Sequence, residues 1–285
     1  MRRPGDSAEA HTSRTTMTRH PSDRLLEARW RIPALAALHL AALVVLATWL
    51  WPPLRATWDR LDASTFEFLN APLAGKGAWA YVWGIASMRA FDLAVALAML
   101  AALIKGNLVF AAAQVRHALY AFIAILLLLL VIRSALFAPL VGFMNWQRAS
   151  PSLTVKGAVL LSELFPGWHG MLHVKDSSGR AFPGDHASVL MLWAMFLSPF
   201  ARGWRRWLVW GLACLFMLPR LVAGAHWLSD ALVGGTFLAL VTTGWGLCTP
   251  YAARACTLAD RLATPLLIRL GRLPGLRGIG LLAGP

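Results

Sequence analysis

The chain has 285 residues, of which 58% are hydrophobic and only 14% are charged, and it carries a formal net charge of +14. Charged residues make up about a quarter of an ordinary soluble domain, so this composition excludes that class and indicates an integral membrane protein. The three cysteines, Cys214, Cys248 and Cys256, form no CxxC pair, which argues against a zinc ribbon and a complete disulfide framework.

Residues 1–30 precede the first apolar run. They are rich in Arg, Ser, Thr and Pro and have no helical period, which predicts a disordered basic tail. A cleaved signal peptide is not expected, because the run that starts at Ile32 is about 20 residues long and no small-residue cleavage site follows it.

Six apolar runs follow in chain order, several of them close to the roughly 20 residues that cross about 30 Å of hydrocarbon. We place these predicted spans at residues 32–51, 90–104, 118–140, 187–201, 204–218 and 227–247. They predict an all-α integral membrane protein, with a bundle of six transmembrane helices, outward-facing loops and interfacial helices over residues 31–250. A basic tail over residues 251–285 completes the predicted domain organisation.

Basic residues mark one side of this predicted bundle. They concentrate in the N-terminal tail, in the loops that hold Lys105, Arg116 and Arg202, and in the C-terminal tail. The positive-inside bias then puts both termini in the cytoplasm and the loops before residues 90, 187 and 227 on the outer side. Topology and anionic headgroups account for the net charge, so no nucleic-acid partner is expected.

The strongest motif is Arg220-x5-His226-x3-Asp230, between the fifth and sixth predicted spans. Phosphoryl transfer needs a nucleophile, an acid for the departing oxygen and fixed positive charge over the phosphoryl oxygens. Four residues apart on a helix, Asp230 would share a face with His226 and fix its tautomer, leaving the other ring nitrogen free to attack. We therefore predict His226 as the nucleophile and Arg220 as a bidentate ligand of the phosphate.

A second motif opens the fourth predicted span and contains Gly184, Asp185 and His186. A glycine lets the backbone approach a phosphate, and the helix N-terminus offers unpaired N–H groups. His186 is predicted to protonate the leaving group. Further candidate phosphate ligands are Lys175 and Arg180 in the polar loop before this motif, and Arg148 at the outer end of the third span.

Three more charged residues have structural interpretations. Arg89 and Asp92 stand three apart at the start of the second predicted span, where they are expected to pair with each other. Arg133 lies inside the third predicted span, where a charge must find a partner or snorkel, and we expect its long side chain to snorkel toward the interface.

These motifs resemble those of the type 2 phosphatidic acid phosphatase (PAP2) superfamily, which are Lys-x6-Arg-Pro, Pro-Ser-Gly-His and Ser-Arg-x5-His-x3-Asp. The third is matched from Arg220 to Asp230, although Pro219 replaces its serine. Gly184 and Asp185 replace the Ser-Gly of the second motif, and Val141 stands where the first has its lysine. The resemblance implies that His226 becomes phosphorylated, with Asp230 as its orienting acid, His186 as proton donor and Arg220 as phosphate ligand.

Shorter matches resemble one branch of the superfamily, the Kdo-lipid A phosphotransferase of Gram-negative inner membranes. They include Arg148-Ala149-Ser150-Pro151, Phe182-Pro183-Gly184-Asp185-His186 and Gly224-Ala225-His226-Trp227. The branch implies a periplasmic active site that moves the terminal phosphate of undecaprenyl diphosphate to the 1-phosphate of lipid A. It implies lipid substrates as partners, and neither a cofactor nor a metal. Asp185 replaces the superfamily's glycine, and we expect Arg180 or Arg220 to hold it.

Three other functions stay open at the level of sequence. A lipid diphosphate phosphatase would hand the same phosphohistidine to water. A transporter or metal-dependent enzyme would use His186, His226, Asp185 and Asp230 as a metal site, because imidazole and carboxylate suit zinc or manganese. A non-catalytic membrane scaffold would use its polar residues only to join helices.

Overall fold

The computed structural model describes residues 25–168 and 173–270, and within these ranges the protein is helical without a β-strand. One isolated antiparallel bridge joins Met88 to Val174. The α-helices, in chain order, are α1 Ile32–Leu50, α2 Pro52–Asn70, α3 Ala78–Ala86, α4 Arg89–Ile104, α5 Val115–Val131, α6 Ala138–Phe143, α7 Pro151–Thr154, α8 Leu161–Leu164, α9 Asp185–Leu197, α10 Trp204–Val222, α11 Thr236–Leu247 and α12 Tyr251–Leu270.

Each predicted span coincides with a helix, and the described part of the chain confirms the all-helical prediction. Three continuous helices are long and apolar enough to cross a membrane, and they are Ile32–Leu50, Ala112–Phe143 and Asp230–Leu247. The helices at the other predicted spans, α4, α9 and α10, are shorter or more polar. The total of six crossings therefore stays a prediction.

Large apolar side chains face outward along these helices. Leu40 on α1, Leu93 on α4 and Leu127 on α5 are each more than half exposed. Such a surface would favour aggregation in water but is the lowest-energy surface in hydrocarbon. The exposed leucines thus support the membrane class that the composition indicates.

Helix α9 forms the centre of the bundle and packs against α5, α10 and α11. Leu190, Trp193, Ala194 and Phe196 on this helix are at most 1% exposed. Close packing on every side fixes the position of α9, and its first two residues, Asp185 and His186, are fixed with it.

Helix α2 is amphipathic and covers one end of the bundle. Its buried residues, Asp62, Phe66 and Asn70, recur every four positions and therefore lie on one face. The amide of Asn70 donates to the carbonyl oxygens of Val159 and Val222 at 3.1 and 3.0 Å. These bonds tie the end of α2 to the end of α10.

Two π-helical segments interrupt the bundle, Ile132–Phe137 between α5 and α6 and Asp230–Gly235 before α11. The second packs against the loop that leads into α9. A Cβ atom at Gly234 would lie 2.8 Å from the Cβ of Pro183, so only glycine allows this approach. π-Helical turns are frequent at functional sites, and both of these carry a charged residue, Arg133 in the first and Asp230 in the second.

Two of the sequence predictions concern the chain ends. The basic tail over residues 1–30 lies outside the described residues up to position 24. Part of the predicted C-terminal tail is helix α12, which packs against α5, with Asp260 of α12 3.1 Å from the Nε2 of His117 on α5. The division of the chain at residue 250 stays a prediction.

Candidate active site

A polar cleft of about 470 Å³ lies at one end of the bundle. It gathers side chains from the starts of α4 and α9, the end of α10, the first π-helical segment and two loops. The residues that line it are Arg89, Asp92, Arg133, Lys175, Asp185, His186, Val189, Arg220 and His226. The prediction that His186, Arg220 and His226 meet at one face of the membrane domain is consistent with this cleft.

His226 presents one ring nitrogen to the cleft. Its Nδ1 lies 2.8 Å from the carbonyl oxygen of Ala181. A carbonyl can only accept, so Nδ1 carries a proton and donates it, which leaves Nε2 on the cleft side as the reactive nitrogen. Asp230 lies 3.6 Å from Nδ1, too far for a hydrogen bond, so Ala181 rather than Asp230 fixes the tautomer.

The shared-helix argument for His226 and Asp230 is wrong, because His226 lies in the loop after α10 and Asp230 opens a π-helical segment. The two residues are nevertheless close. They are close because Asp230 Oδ2 accepts the backbone N–H of Trp227 at 2.8 Å. This hydrogen bond closes the turn between the two residues.

Arg148 does not line the cleft. Its guanidinium donates to Asp230 Oδ1 at 2.6 Å, to Asp62 Oδ2 at 2.9 Å and to the hydroxyl of Ser229 at 2.6 Å. All of these acceptors are buried, so the arginine is occupied in holding the carboxylate behind His226. Its contacts in the structure are those of a positioning residue, and its role as a phosphate ligand stays a prediction.

Asp62 is the member of this network that the sequence analysis missed. It also accepts both the backbone N–H and the hydroxyl of Ser229, each at 2.7 Å. An aspartate on the buried face of an amphipathic helix, in register with Phe66 and Asn70, was the available signal.

Arg220 lines the cleft, as predicted, from the end of α10. One of its terminal nitrogens donates to the carbonyl oxygens of Ser87 and Lys175, both at 3.2 Å, and the other pairs with Asp92. The expected pair of Arg89 with Asp92 is therefore replaced by Arg220 with Asp92. Arg89 is left lining the cleft as an additional exposed cation.

Asp185 lies between His226 and Arg133, an arginine that was not among the residues predicted for the site. Its Oδ1 lies 3.4 Å from His226 Nε2, and its Oδ2 lies 3.2 Å from a terminal nitrogen of Arg133. The expectation that Arg180 or Arg220 holds Asp185 is wrong. Of the two alternatives for Arg133, a partner or snorkelling, the structure shows a partner, Asp185, and the guanidinium lines the cleft.

His186 lines the cleft beside Asp185. Its Nε2 lies 3.2 Å from the carbonyl oxygen of Phe216, and its backbone N–H donates to Asp185 Oδ1 at 2.9 Å. The first contact orients the ring, and the second holds the neighbouring carboxylate. The predicted proton donor thus lines the same cleft as the predicted nucleophile.

Of the two candidate phosphate ligands in the loop before α9, one lines the cleft and the other does not. Lys175 lines the cleft, and its backbone N–H donates to Ser87 at 3.0 Å next to the Met88–Val174 bridge. Arg180 is exposed and does not line the cleft. Gly184 serves a protein contact: a Cβ there would lie 2.9 Å from the carbonyl oxygen of Asp230, to which the Gly184 N–H donates at 3.0 Å.

The electrostatics of the cleft favour anions. Arg89, Arg133, Lys175 and Arg220 face only two carboxylates, those of Asp92 and Asp185. Burial alone would lower the pKa of His226, but the nearby carboxylates of Asp185 and Asp230 outweigh it and raise that pKa to about 9. Below that pKa the imidazolium is the favoured form of His226. Among residues 25–168 and 173–270, no group of three or more His, Cys, Asp or Glu side chains is arranged to hold a metal ion.

Comparison with known proteins identifies the family. The PAP2 superfamily model matches residues 124–254, which include the cleft residues Arg133, Asp185, Arg220 and His226. The chain belongs to the PAP2 superfamily and is thus a member of a membrane family of lipid phosphatases and phosphotransferases.

One relative indicates a branch of this superfamily. The chain is similar to lipid A 1-diphosphate synthase of Escherichia coli (strain K12), with 30% identity over 240 residues, 81% of this chain and 93% of the relative. That enzyme is a member of the branch that the short motifs indicated. No solved structure matches the chain.

Proposed function

We propose that the protein is a membrane phosphotransferase that moves the terminal phosphate of undecaprenyl diphosphate to the 1-phosphate of lipid A. The products are undecaprenyl phosphate and lipid A 1-diphosphate. The observation that carries the proposal is His226 Nε2, which faces a cleft lined by four cationic side chains. The name of the relative, a lipid A 1-diphosphate synthase, supports the acceptor.

In the first half-reaction, Nε2 of His226 loses its proton and attacks the terminal phosphorus. That proton is lost to solvent before the attack. A P–N bond forms as the bond to the bridging oxygen breaks, and His186 gives the departing lipid phosphate its proton. Arg220, Arg89 and Lys175 neutralise the phosphoryl oxygens.

In the second half-reaction, an oxygen of the acceptor's phosphate attacks the phosphohistidine and the P–N bond breaks. His186 takes back the proton where the attacking oxygen carries one, and Nε2 is released. Because each lipid visits in turn, the cleft need not hold two lipids together, and ping-pong kinetics follow. Asp230, held by Arg148, stabilises the positive charge on the phosphorylated ring.

We further propose that the cleft faces the periplasm of a Gram-negative inner membrane, with both termini in the cytoplasm. The apolar helices and the lipid A-related relative support a membrane protein of such bacteria. The distribution of basic residues supports the orientation.

The test is a purified protein incubated with undecaprenyl diphosphate labelled on its terminal phosphate, with and without lipid A. We expect label on lipid A and an acid-labile adduct on the protein, and neither with His226→Ala. Equal release of free phosphate with and without lipid A would identify a phosphatase instead. Absence of any adduct under rapid quench would remove the phosphohistidine.

A further inference from the structure

Arg133 is placed unusually for a side chain in a long apolar helix. It lies in the π-helical segment Ile132–Phe137, and its helical neighbours Val131 and Leu136 are 56% and 65% exposed. A guanidinium at such a position is costly in a membrane unless it lines a polar cavity and has a partner. Arg133 meets both conditions, because it lines the cleft and pairs with Asp185.

The π-helical turn explains why the side chain of Arg133 faces the cleft. An extra residue in a helical turn shifts the angular position of the side chains around it, which can bring one side chain off the lipid-facing side of a helix. Here the turn begins at Ile132, one residue before Arg133, and the next helix, α6, resumes at Ala138. The backbone irregularity and the inward-facing charge therefore occur at the same point.

Asp185 links this arginine to the nucleophile. One carboxylate oxygen lies 3.4 Å from His226 Nε2 and the other lies 3.2 Å from Arg133. Carboxylate and phosphate are the two common anions whose oxygens a guanidinium binds. An anionic group thus already occupies the space between the nucleophilic nitrogen and Arg133.

We propose that Arg133 is the subsite for the second phosphate, the one that remains attached to the lipid, and that Asp185 occupies this subsite only while the cleft is empty. The inference rests on the proposed function and specifies its substrate class as lipids in which two phosphates meet at the site. An arriving phosphate replaces the carboxylate on Arg133 and so clears the space beside Nε2 of His226 for the phosphorus that is attacked.

The same subsite serves both half-reactions. In the first, the leaving group is a lipid phosphate, and in the second the attacking group is a lipid phosphate. The bond that forms is of the same kind as the bond that breaks, so one cation can hold the non-transferred phosphate in each. Water and simple monoesters bring no second phosphate to Arg133.

The test compares substrates with and without a second phosphate. Arg133→Gln should lower kcat/KM for undecaprenyl diphosphate by about 10- to 100-fold, the effect of losing one charge-assisted hydrogen bond to phosphate. Hydrolysis of p-nitrophenyl phosphate, which has a single phosphate, should fall by a several-fold smaller factor, because there Arg133 contributes only its charge to the cleft. Arg133→Lys should restore part of the loss, and Lys156→Gln, at an exposed loop lysine away from the cleft, is the matched control.

Binding gives a second readout that does not depend on transfer. Inorganic pyrophosphate and inorganic phosphate are used as inhibitors of p-nitrophenyl phosphate hydrolysis. Arg133→Gln should weaken inhibition by pyrophosphate about tenfold or more while inhibition by phosphate changes little. Asp185→Asn, which removes the competing carboxylate, should bind pyrophosphate more tightly, and the double variant should lose that gain.

The outcomes separate the two proposals. Equal losses on the diphosphate and the aryl phosphate, or unchanged selectivity between pyrophosphate and phosphate, would refute the subsite and leave the proposed function intact. A wild-type protein that cleaves the aryl phosphate but takes no phosphate from the lipid diphosphate would refute the proposed function itself.

Discussion

At the scale of single residues, His226 contacts one group that fixes its tautomer and two groups that stabilise its protonated form. Ala181 fixes its tautomer, while Asp185 and Asp230 stabilise its protonated form and raise its pKa to about 9. Only the ring with Nε2 unprotonated can attack phosphorus. The two carboxylates therefore lower the fraction of His226 that is in the form the proposed reaction needs.

This arrangement predicts a pH dependence. Below a pKa of about 9 the neutral fraction of His226 grows tenfold per pH unit, so log(kcat/KM) should rise with unit slope toward pH 9. Asp185→Asn removes one group that raises this pKa, and its acid limb should move down by about one pH unit or more. The measurement is kcat/KM against pH, with Lys156→Gln as control. An unmoved limb would contradict the role given to Asp185.

Arg148 predicts an effect on stability as well as on activity. Arg148→Gln leaves the buried carboxylates of Asp62 and Asp230 without their cation, and loss of one partner of a buried ion pair costs about 3 to 5 kcal/mol. We expect a large drop in thermal unfolding temperature in detergent. Arg220→Gln, whose partner Asp92 is one-third exposed, should lower activity with a smaller loss of stability. Equal thermal losses would argue against the positioning role.

At the scale of elements, the glycines of the second π-helical segment control how closely it approaches α9. Gly234→Ala would place a Cβ 2.8 Å from Pro183 Cβ and 3.0 Å from its Cα, and the ring cannot swing aside. Overpacking of this kind costs about 1 to 3 kcal/mol. Because Pro183 leads directly into Asp185 and His186, we also expect slower phosphorylation of His226.

The matched control for Gly234→Ala is Gly211→Ala. Gly211 is exposed in the interior of α10, and no atom lies within 4 Å of the added Cβ. Alanine is the better helix former, so this variant should be neutral or slightly more stable. Thermal unfolding and the rate of adduct formation are measured for both. Wild-type values for Gly234→Ala would show that the close approach is dispensable.

The elements also show what a sequence can predict. Apolar runs predicted a helix at each of the six proposed spans but not the amphipathic α2, and motif spacing predicted that His186, Arg220 and His226 belong to one site. The partners of Asp92, Asp185 and Arg148 could not be predicted, since each lies on a different helix or loop and many pairings of opposite charges satisfy the same sequence. Asp62 and Arg133 were missed as site residues for the same reason, because their roles arise from packing.

At the scale of the whole molecule, the predicted orientation can be checked by labelling. In a Cys214→Ser background, which leaves only the buried Cys248 and Cys256, single cysteines are placed at exposed Lys156 and Arg261. Lys156→Cys should react with a membrane-impermeant maleimide in intact spheroplasts, and Arg261→Cys only after lysis. The reverse pattern would invert the topology.

The central position of α9 has a consequence for how the enzyme changes substrates. Asp185 and His186 are the first turn of the most enclosed helix of the bundle, so the backbone beneath them cannot move without disturbing the packing of α5, α10 and α11. In the proposed reaction, one lipid must therefore be replaced by the next through rotations of side chains in the cleft, while the backbone of α9 stays in place. Selectivity between acceptors is then encoded in a few rotamers, and exchanging those side chains should retune it without rebuilding the helices.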